Sequence, residues 1–297
     1  MEKICFCLLG YKGFYVLQEI LKSVFAECIE CVVCARDKGQ KDYYGEIYQL
    51  CVKNQIVFYD RGQIELEDKK YIFAIGWRWI IKSNGKILVL HDSILPKYRG
   101  FNPLVSALVN GDKNIGASLL FGENEYDSGD ILMQKSIEID YPITIWDAIQ
   151  KIAKLYVEIV IDYLKKYHNQ QLMNGIPQNS DDASYSLWRD SRDYFINWGW
   201  DCCKIERFIN AVGYPYDGAK SYLNGRIVRI LEARSYADVK IVNRDCGKII
   251  FIKNGNPVVV CKKGLLEILK IVDDNNKVIL IDKIRLRFEA SKNRGLQ

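Results

Sequence analysis

Residues 90–130 read LHDSILPKYRGFNPLVSALVNGDKNIGASLLFGENEYDSGD, and the way this stretch parses decides the fold. It opens at the end of an apolar run, Ile87-Leu88-Val89-Leu90, that reads as a buried strand. His91, one of two histidines in the chain, closes that strand. A polar loop containing Pro96 and Gly100 follows, and Pro103 starts a helix that runs to Asn110. Gly116 to Phe121 is a further strand. Asp127-Ser128-Gly129-Asp130 is a tight acidic turn before the apolar Ile131-Leu132-Met133. An imidazole at a strand end, with a separate acidic turn able to fold back on it, is a common way to place a general acid/base pair.

Outward from this centre the pattern is α/β. Lys3 to Leu9 is a strand ending in Gly10-Tyr11-Lys12-Gly13, after which Phe14, Leu17, Ile20, Leu21 and Val24 recur at helical spacing. The turn is Gly-x-x-Gly and not the longer dinucleotide fingerprint, so a plain βα turn and a cofactor turn are both open. Cys31 to Ala35, Gln55 to Phe58 and Tyr71 to Gly76 read as strands, and Gly45 to Lys53 as a helix. Trp77-Arg78-Trp79-Ile80-Ile81 reads as the first turn of a short helix, its aromatics lining a pocket for a flat heterocycle or packing in the core. Thr144-x-x-Asp147 caps a long amphipathic helix.

Residues 168–190 are polar and turn-rich and read as a linker between a domain at 1–167 and a second at 191–297. The second starts with a helix, Asp201 to Val212. Short β segments follow: Ala219–Tyr222, Ile227–Ile230, Lys248–Ile252, Pro257–Cys261 and Leu265–Ile271. Asn224-Gly225 and Asn254-Gly255 form hairpin turns. The expected fold is a doubly wound, Rossmann-like domain followed by a small, β-rich barrel or sandwich.

Composition narrows the function. The net charge is +5, from 42 basic and 37 acidic side chains, without basic blocks or repeats. That mild balance fits a phosphate-bearing small molecule or plain solubility as well as it fits a nucleic acid. No apolar run approaches the ~20 residues needed to span a bilayer. Ten cysteines without a secretory segment fit reduced thiols in the cytoplasm. Cys28, Cys31 and Cys34 have metal-like spacing, but Cys31 and Cys34 fall on opposite faces of a strand, so they read as core fillers and no metal is expected.

The series His91-x-Ser93-x-Leu95-Pro96-x-x-Arg99-Gly100, Pro103, Asn110-Gly111, Gly116, Asp127-x-Gly129-Asp130-Ile131 and Gln134 resembles the folate-dependent formyltransferases, which include methionyl-tRNA formyltransferase and the sugar N-formyltransferases. Further on, Ile196-Asn197-Trp198, Ile205-x-x-Phe208-Ile209-x-Ala211, Pro215-Tyr216-x-Gly218-Ala219 and Leu223-x-Gly225 resemble the second domain of that family. The resemblance implies an OB-like second domain, 10-formyltetrahydrofolate as formyl donor, and His91 and Asp127 as catalytic residues. It implies that Trp77, Arg78, Trp79 and Ile80 lie against the pterin, with Ser93, Leu95 and Asp130 on the folate side. Where the family carries an asparagine two residues before the histidine, this chain has Val89. One oxyanion donor is typically worth ~3 kcal/mol. Asn84, Asn102 or a backbone N–H are the substitutes the sequence offers.

Acceptor-side candidates are Tyr98, Arg99, Phe101, Asn102 and Asn124, with Arg99 either pairing an anion or bracing its loop. The loop Ala35 to Asp42 is short and of mixed charge, where a tRNA-acting enzyme of this family carries a longer basic insertion. The expected acceptor is therefore the amine of a nucleotide-linked amino sugar destined for a surface glycan such as lipopolysaccharide. Methionyl-tRNA and a weakly active folate- or nucleotide-sugar-binding homologue are the alternatives. Nucleic acid and membrane insertion are not expected as partners, and a homodimer is left open.

Overall fold

The computed structural model describes residues 2–37, 40–171 and 173–290. Lys38 and Gly39 of the short loop, Leu172 of the expected linker and residues 291–297 of the expected second domain lie outside the described residues. The chain divides into two compact units. One comprises Met1–Leu104, Asn114–Ile139 and Asp147–Leu187, the other Val105–Lys113, Asp140–Trp146 and Trp188–Gln297. Two short pieces inside the expected first domain thus belong to the second unit. Most of the expected linker belongs to the first.

Up to residue 187 the elements are β1 (Ile4–Leu8), α1 (Gly10–Leu21), β2 (Ile29–Cys34), α2 (Tyr44–Lys53), β3 (Val57–Asp60), β4 (Tyr71–Ile75), β5 (Lys86–His91), β6 (Arg99–Gly100), α3 (Pro103–Asn110), β7 (Asn114–Phe121), β8 (Ile131–Glu138), α4 (Ile145–His168) and β9 (Tyr185–Ser186). Among the described residues, seven strands form one sheet in the order β3-β2-β1-β4-β5-β7-β8. Strands β1 to β5 pair in parallel, and β7 and β8 add antiparallel. The order reverses between β1 and β4, which makes their carboxyl ends the switch point where such sheets bind ligands. Gly76 sits there with φ +66, and a Cβ would stand 2.7 Å from Leu9 O, so a side chain would force the ends of β1 and β4 apart.

The sheet is packed on both faces. On one, Phe6 and Phe73 stack at 5.3 Å and Tyr163 of α4 meets Phe73 edge-on. On the other, Cys5, Cys7, Cys31, Val33 and Ile72 cluster with Trp77, Ile81 and Ile87, so the cysteines are core residues here. The expected helical turn at Trp77–Ile81 does not form. Trp77 is drawn into this cluster and Arg78 Nη2 donates to buried Asp37 at 2.7 Å, and these tertiary contacts hold the segment open.

In the second unit, α5 (Cys202–Ala211) precedes β10 (Ala219–Leu223), β11 (Arg226–Tyr236), β12 (Ile249–Lys253), β13 (Asn256–Val260), β14 (Leu265–Val272) and β15 (Phe288–Glu289). These six strands form an antiparallel half-barrel in the order β12-β13-β14-β11-β10-β15. Asp201 caps α5 through Lys204 N–H at 2.8 Å. Both Asn-Gly pairs form the expected hairpins, with φ of 51 and 71 at Asn224-Gly225 and 50 and 83 at Asn254-Gly255. Strand β11 runs six residues past its expected end at Ile230, because β14 pairs it through irregularities around Glu232 as far as Tyr236. Among the described residues, no helix is long and apolar enough to cross a membrane.

Candidate active site

His91 ends β5 opposite Ser118 of β7 and is only 7% exposed. Its Nε2 lies 2.8 Å from Tyr98 O. A carbonyl can only accept, so this nitrogen carries a proton. Its Nδ1 lies 3.4 Å from Asp127 Oδ2, which also accepts from Gly100 N–H at 2.8 Å. One carboxylate oxygen is therefore shared between the imidazole and the loop backbone. The loop is fixed from beneath. Ser93 Oγ donates to Lys97 O at 2.6 Å and Ser118 Oγ to Ser93 O at 2.7 Å. Gln134 Nε2 donates to Leu95 O and to Ser118 Oγ, both at 2.8 Å.

The expected linker supplies the rest of this frame. Strand β9 pairs in parallel with β6, and Ile176 bridges to Ile131. Gln178 Nε2 donates to Asp127 O at 2.8 Å and Gly129 O at 2.7 Å, while its Oε1 accepts from Arg99 Nε at 3.0 Å and Nη2 at 2.8 Å. Arg99 is 4% exposed. Of the two roles open to Arg99 in the sequence, the structure shows the brace, with Nε and Nη2 on Gln178 and Nη1 3.5 Å from the Tyr185 hydroxyl. Asp130 also belongs to the frame, since a Cβ on Gly175 would stand 2.3 Å from the Asp130 Cβ.

Asp92, next to the histidine, is a second buried carboxylate. It pairs with Lys12 Nζ and with the Tyr156 hydroxyl, which also lies 2.9 Å from Leu90 O. Burial pushes Asp92 up, but the charge and hydrogen bond of Lys12, then Tyr156 and His91, outweigh it, and the carboxyl is held below its usual range. Burial and then the Asp92 charge push the Tyr156 phenol well up, so it stays a donor. This pairing ties α1, the end of β5 and α4 together directly behind His91.

Trp77 and Trp79 meet edge-on at 5.1 Å, Arg61 lies 4.5 Å over the Trp79 ring, and Ile80 is 84% exposed. The Trp77 Nε1 is buried with no hydrogen-bond partner among the described residues. Beside Asp127, Phe101 and Tyr126 pair at 5.4 Å, both exposed. Asn102 is half-buried with φ 49, and Asn124 is exposed. Val89 is two residues from His91 on one strand and so shares its face. A cavity of about 710 Å³ lined by Phe14, Arg36, Tyr44 and Tyr48 among others contains none of the expected site residues. Sequence reasoning passed over Lys12, Asp92, Tyr156 and Gln178. Asp92, a carboxylate beside a strand-end histidine, carried a local signal, whereas Gln178 lay in a polar stretch that carried none.

Two family models match the chain, one described as formyl transferase over residues 70–164 and one as the formyl transferase C-terminal domain over residues 190–285, together more than half of it. Methionyl-tRNA formyltransferase of Syntrophomonas wolfei is 29% identical over 184 residues, 61% of this chain and 57% of that protein. That of Rickettsia bellii is 27% identical over 271 residues, 86% of each. The match thus spans less than two thirds of the first relative's length and most of the second's. Among solved structures, the sugar 3N-formyl transferase WlaRD, crystallised with dTDP and 5-N-formyl-THF, superposes with a TM-score of 0.69 over 95% of this chain and 99% of that one. At 21% identity, that likeness shows the shared fold.

Proposed function

The chain belongs to the formyl transferase family, and from that premise we propose that it moves a formyl group from 10-formyltetrahydrofolate to the amine of a nucleotide-linked amino sugar, in the cytoplasm, for a surface glycan. The observation that carries the reaction is the His91–Asp127 pair, with Tyr98 O holding the second ring nitrogen. With Nε2–H on a carbonyl, Nδ1 is the nitrogen that takes the proton of the attacking amine. Asp127 at 3.4 Å then faces the imidazolium and stabilises it. Gly100 and Gln178 keep that carboxylate in place through the backbone.

The residues present fit a folate. Trp77 and Trp79 offer aromatic surface, and the Trp77 N–H is a buried donor with no hydrogen-bond partner among the described residues. Trp77, Arg78, Trp79 and Ile80 would hold it, with Ser93, Leu95 and Asp130 shaping the loops beside it. Bound there, it supplies an activated formyl group. Tyr98, Phe101, Asn102 and Asn124 lie on the acceptor side.

The sugar acceptor is supported by the mild net charge of +5, by the short mixed-charge loop after β2 and by the fold shared with a sugar N-formyl transferase. The second reading, methionyl-tRNA as acceptor, is favoured by the names of the sequence relatives. One assay separates them. The protein is mixed with 10-formyltetrahydrofolate and either a panel of nucleotide-linked amino sugars or charged initiator tRNA, and products are followed by mass. A sugar nucleotide heavier by one carbonyl, absent with His91→Ala, is the expected result. Formylated methionyl-tRNA with no sugar product would replace the proposal by the second reading.

A further inference from the structure

Acyl transfer places negative charge on the formyl oxygen, and that oxygen needs a hydrogen-bond donor. Several of the donors near His91 are already engaged. The backbone N–H groups of Tyr98 and Arg99 go to Ser184, that of Gly100 to Asp127 and that of Phe101 to Ser186. Arg99 is on Gln178, Lys12 on Asp92, and Gln134 on Leu95 O and Ser118. Position 89, on the face of β5 that carries His91, holds a valine. Asn84 precedes β5 at the opposite end of the strand, about 20 Å away along it.

Asn102 is different. It lies two residues beyond the Gly100 N–H that holds Asp127, is half-buried, and its carboxamide makes no hydrogen bond among the described residues. We propose that the Asn102 carboxamide donates to the formyl oxygen as charge develops there, the part for which position 89 offers only a hydrocarbon side chain. This rests on the formyl-transfer reading above. The competing explanation is backbone shape, since Asn102 has φ 49 and asparagine tolerates the left-handed region.

Glycine separates the two, because it accepts that φ and has no amide. The measurements are steady-state kinetics and the infrared band of an isotope-labelled formyl carbonyl on 10-formyltetrahydrofolate bound without acceptor. With Asn102→Gly, kcat is expected to fall about 100-fold with little change in KM, and the carbonyl band to move to higher frequency. Asn102→Asp, which cannot donate when ionised, is expected to match it. Adding Val89→Asn to Asn102→Gly is expected to restore part of the rate and the band. If wild type transfers formyl groups and Asn102→Gly leaves kcat or the band unmoved, the inference falls and the functional reading stands. If wild type neither binds the folate nor transfers from it, both fall.

Discussion

In the second unit the non-glycine residues with positive φ among those described are Asn224, Asn243, Asn254 and Asn276, all in turns or bends. In the first unit Gln55 and Gln170 follow helix ends, where a left-handed residue is ordinary, but Tyr98 and Asp127 both contact His91, and Asn102 ends the loop that Tyr98 belongs to. Asparagine enters the left-handed region cheaply, while a tyrosine there costs roughly 1–2 kcal/mol. The half-barrel therefore bends where its local sequence allows it. The site bends where long-range hydrogen bonds require it, from Ser184, Ser186 and Gln178 to residues some eighty positions earlier or in the acidic turn. Strain held by tertiary contacts is commonly found at functional sites.

The sharpest way to break this contrast is at Asp127. Asp127→Ala removes the partner of His91 Nδ1 and the acceptor of Gly100 N–H together. Formyl transfer is expected to drop by about 1,000-fold. Asn254→Ala in the half-barrel should leave transfer unchanged. Equal losses at both would mean that left-handed geometry, and not the contacts it serves, is what matters.

Next is the pair behind the histidine. Asp92→Asn leaves the Lys12 ammonium largely buried without its counter-charge, and urea unfolding should show a loss of about 3 kcal/mol. The pH dependence follows from the depressed carboxyl. The Asp92 contribution is present above its ordinary value of 3.8 and is lost as pH falls through the lower folded value. Wild type should lose stability over that acid range more steeply than Asp92→Asn. Parallel curves would remove Asp92 from the account.

Gln178→Leu strands the buried Arg99 guanidinium and unties the turn carrying Asp127. A loss of about 2 kcal/mol is expected by urea unfolding, together with reduced transfer. A stable variant with full activity would show that the frame does not depend on this amide. Smallest of all, Asn254→Gly should change stability within about 0.5 kcal/mol, since the hairpin tip needs only a residue that accepts positive φ. Set beside the loss expected for Asn102→Gly, that near-silence would mark the difference between an asparagine kept for shape and one kept for its amide.

The α/β strand series, the long helix α4 and both Asn-Gly hairpins were legible because each is set by periodicity or by the φ preference of one or two neighbouring residues. His91 and Asp127 were legible as a pair from the strand-end histidine and the acidic turn. The state of Trp77–Ile81 was not, because its conformation follows from what Trp77 and Arg78 touch on β1, β2 and beyond.

By itself the sequence determined the fold class and the family and put His91 and Asp127 forward as a pair, since these reside in local patterns and in an ordered series of distinct residues. Only the tertiary structure decided which partners those residues have. It turned Arg99 inward onto Gln178, made part of the expected linker a wall of the site and put Lys12 and Tyr156 on Asp92. It also left the half-buried Asn102 carboxamide without a hydrogen bond among the described residues. Hydrogen-bond satisfaction is a property of everything that converges on a point in space, and residues as far apart as Lys12 and Asp92, or Arg99 and Gln178, converge only when the chain is folded.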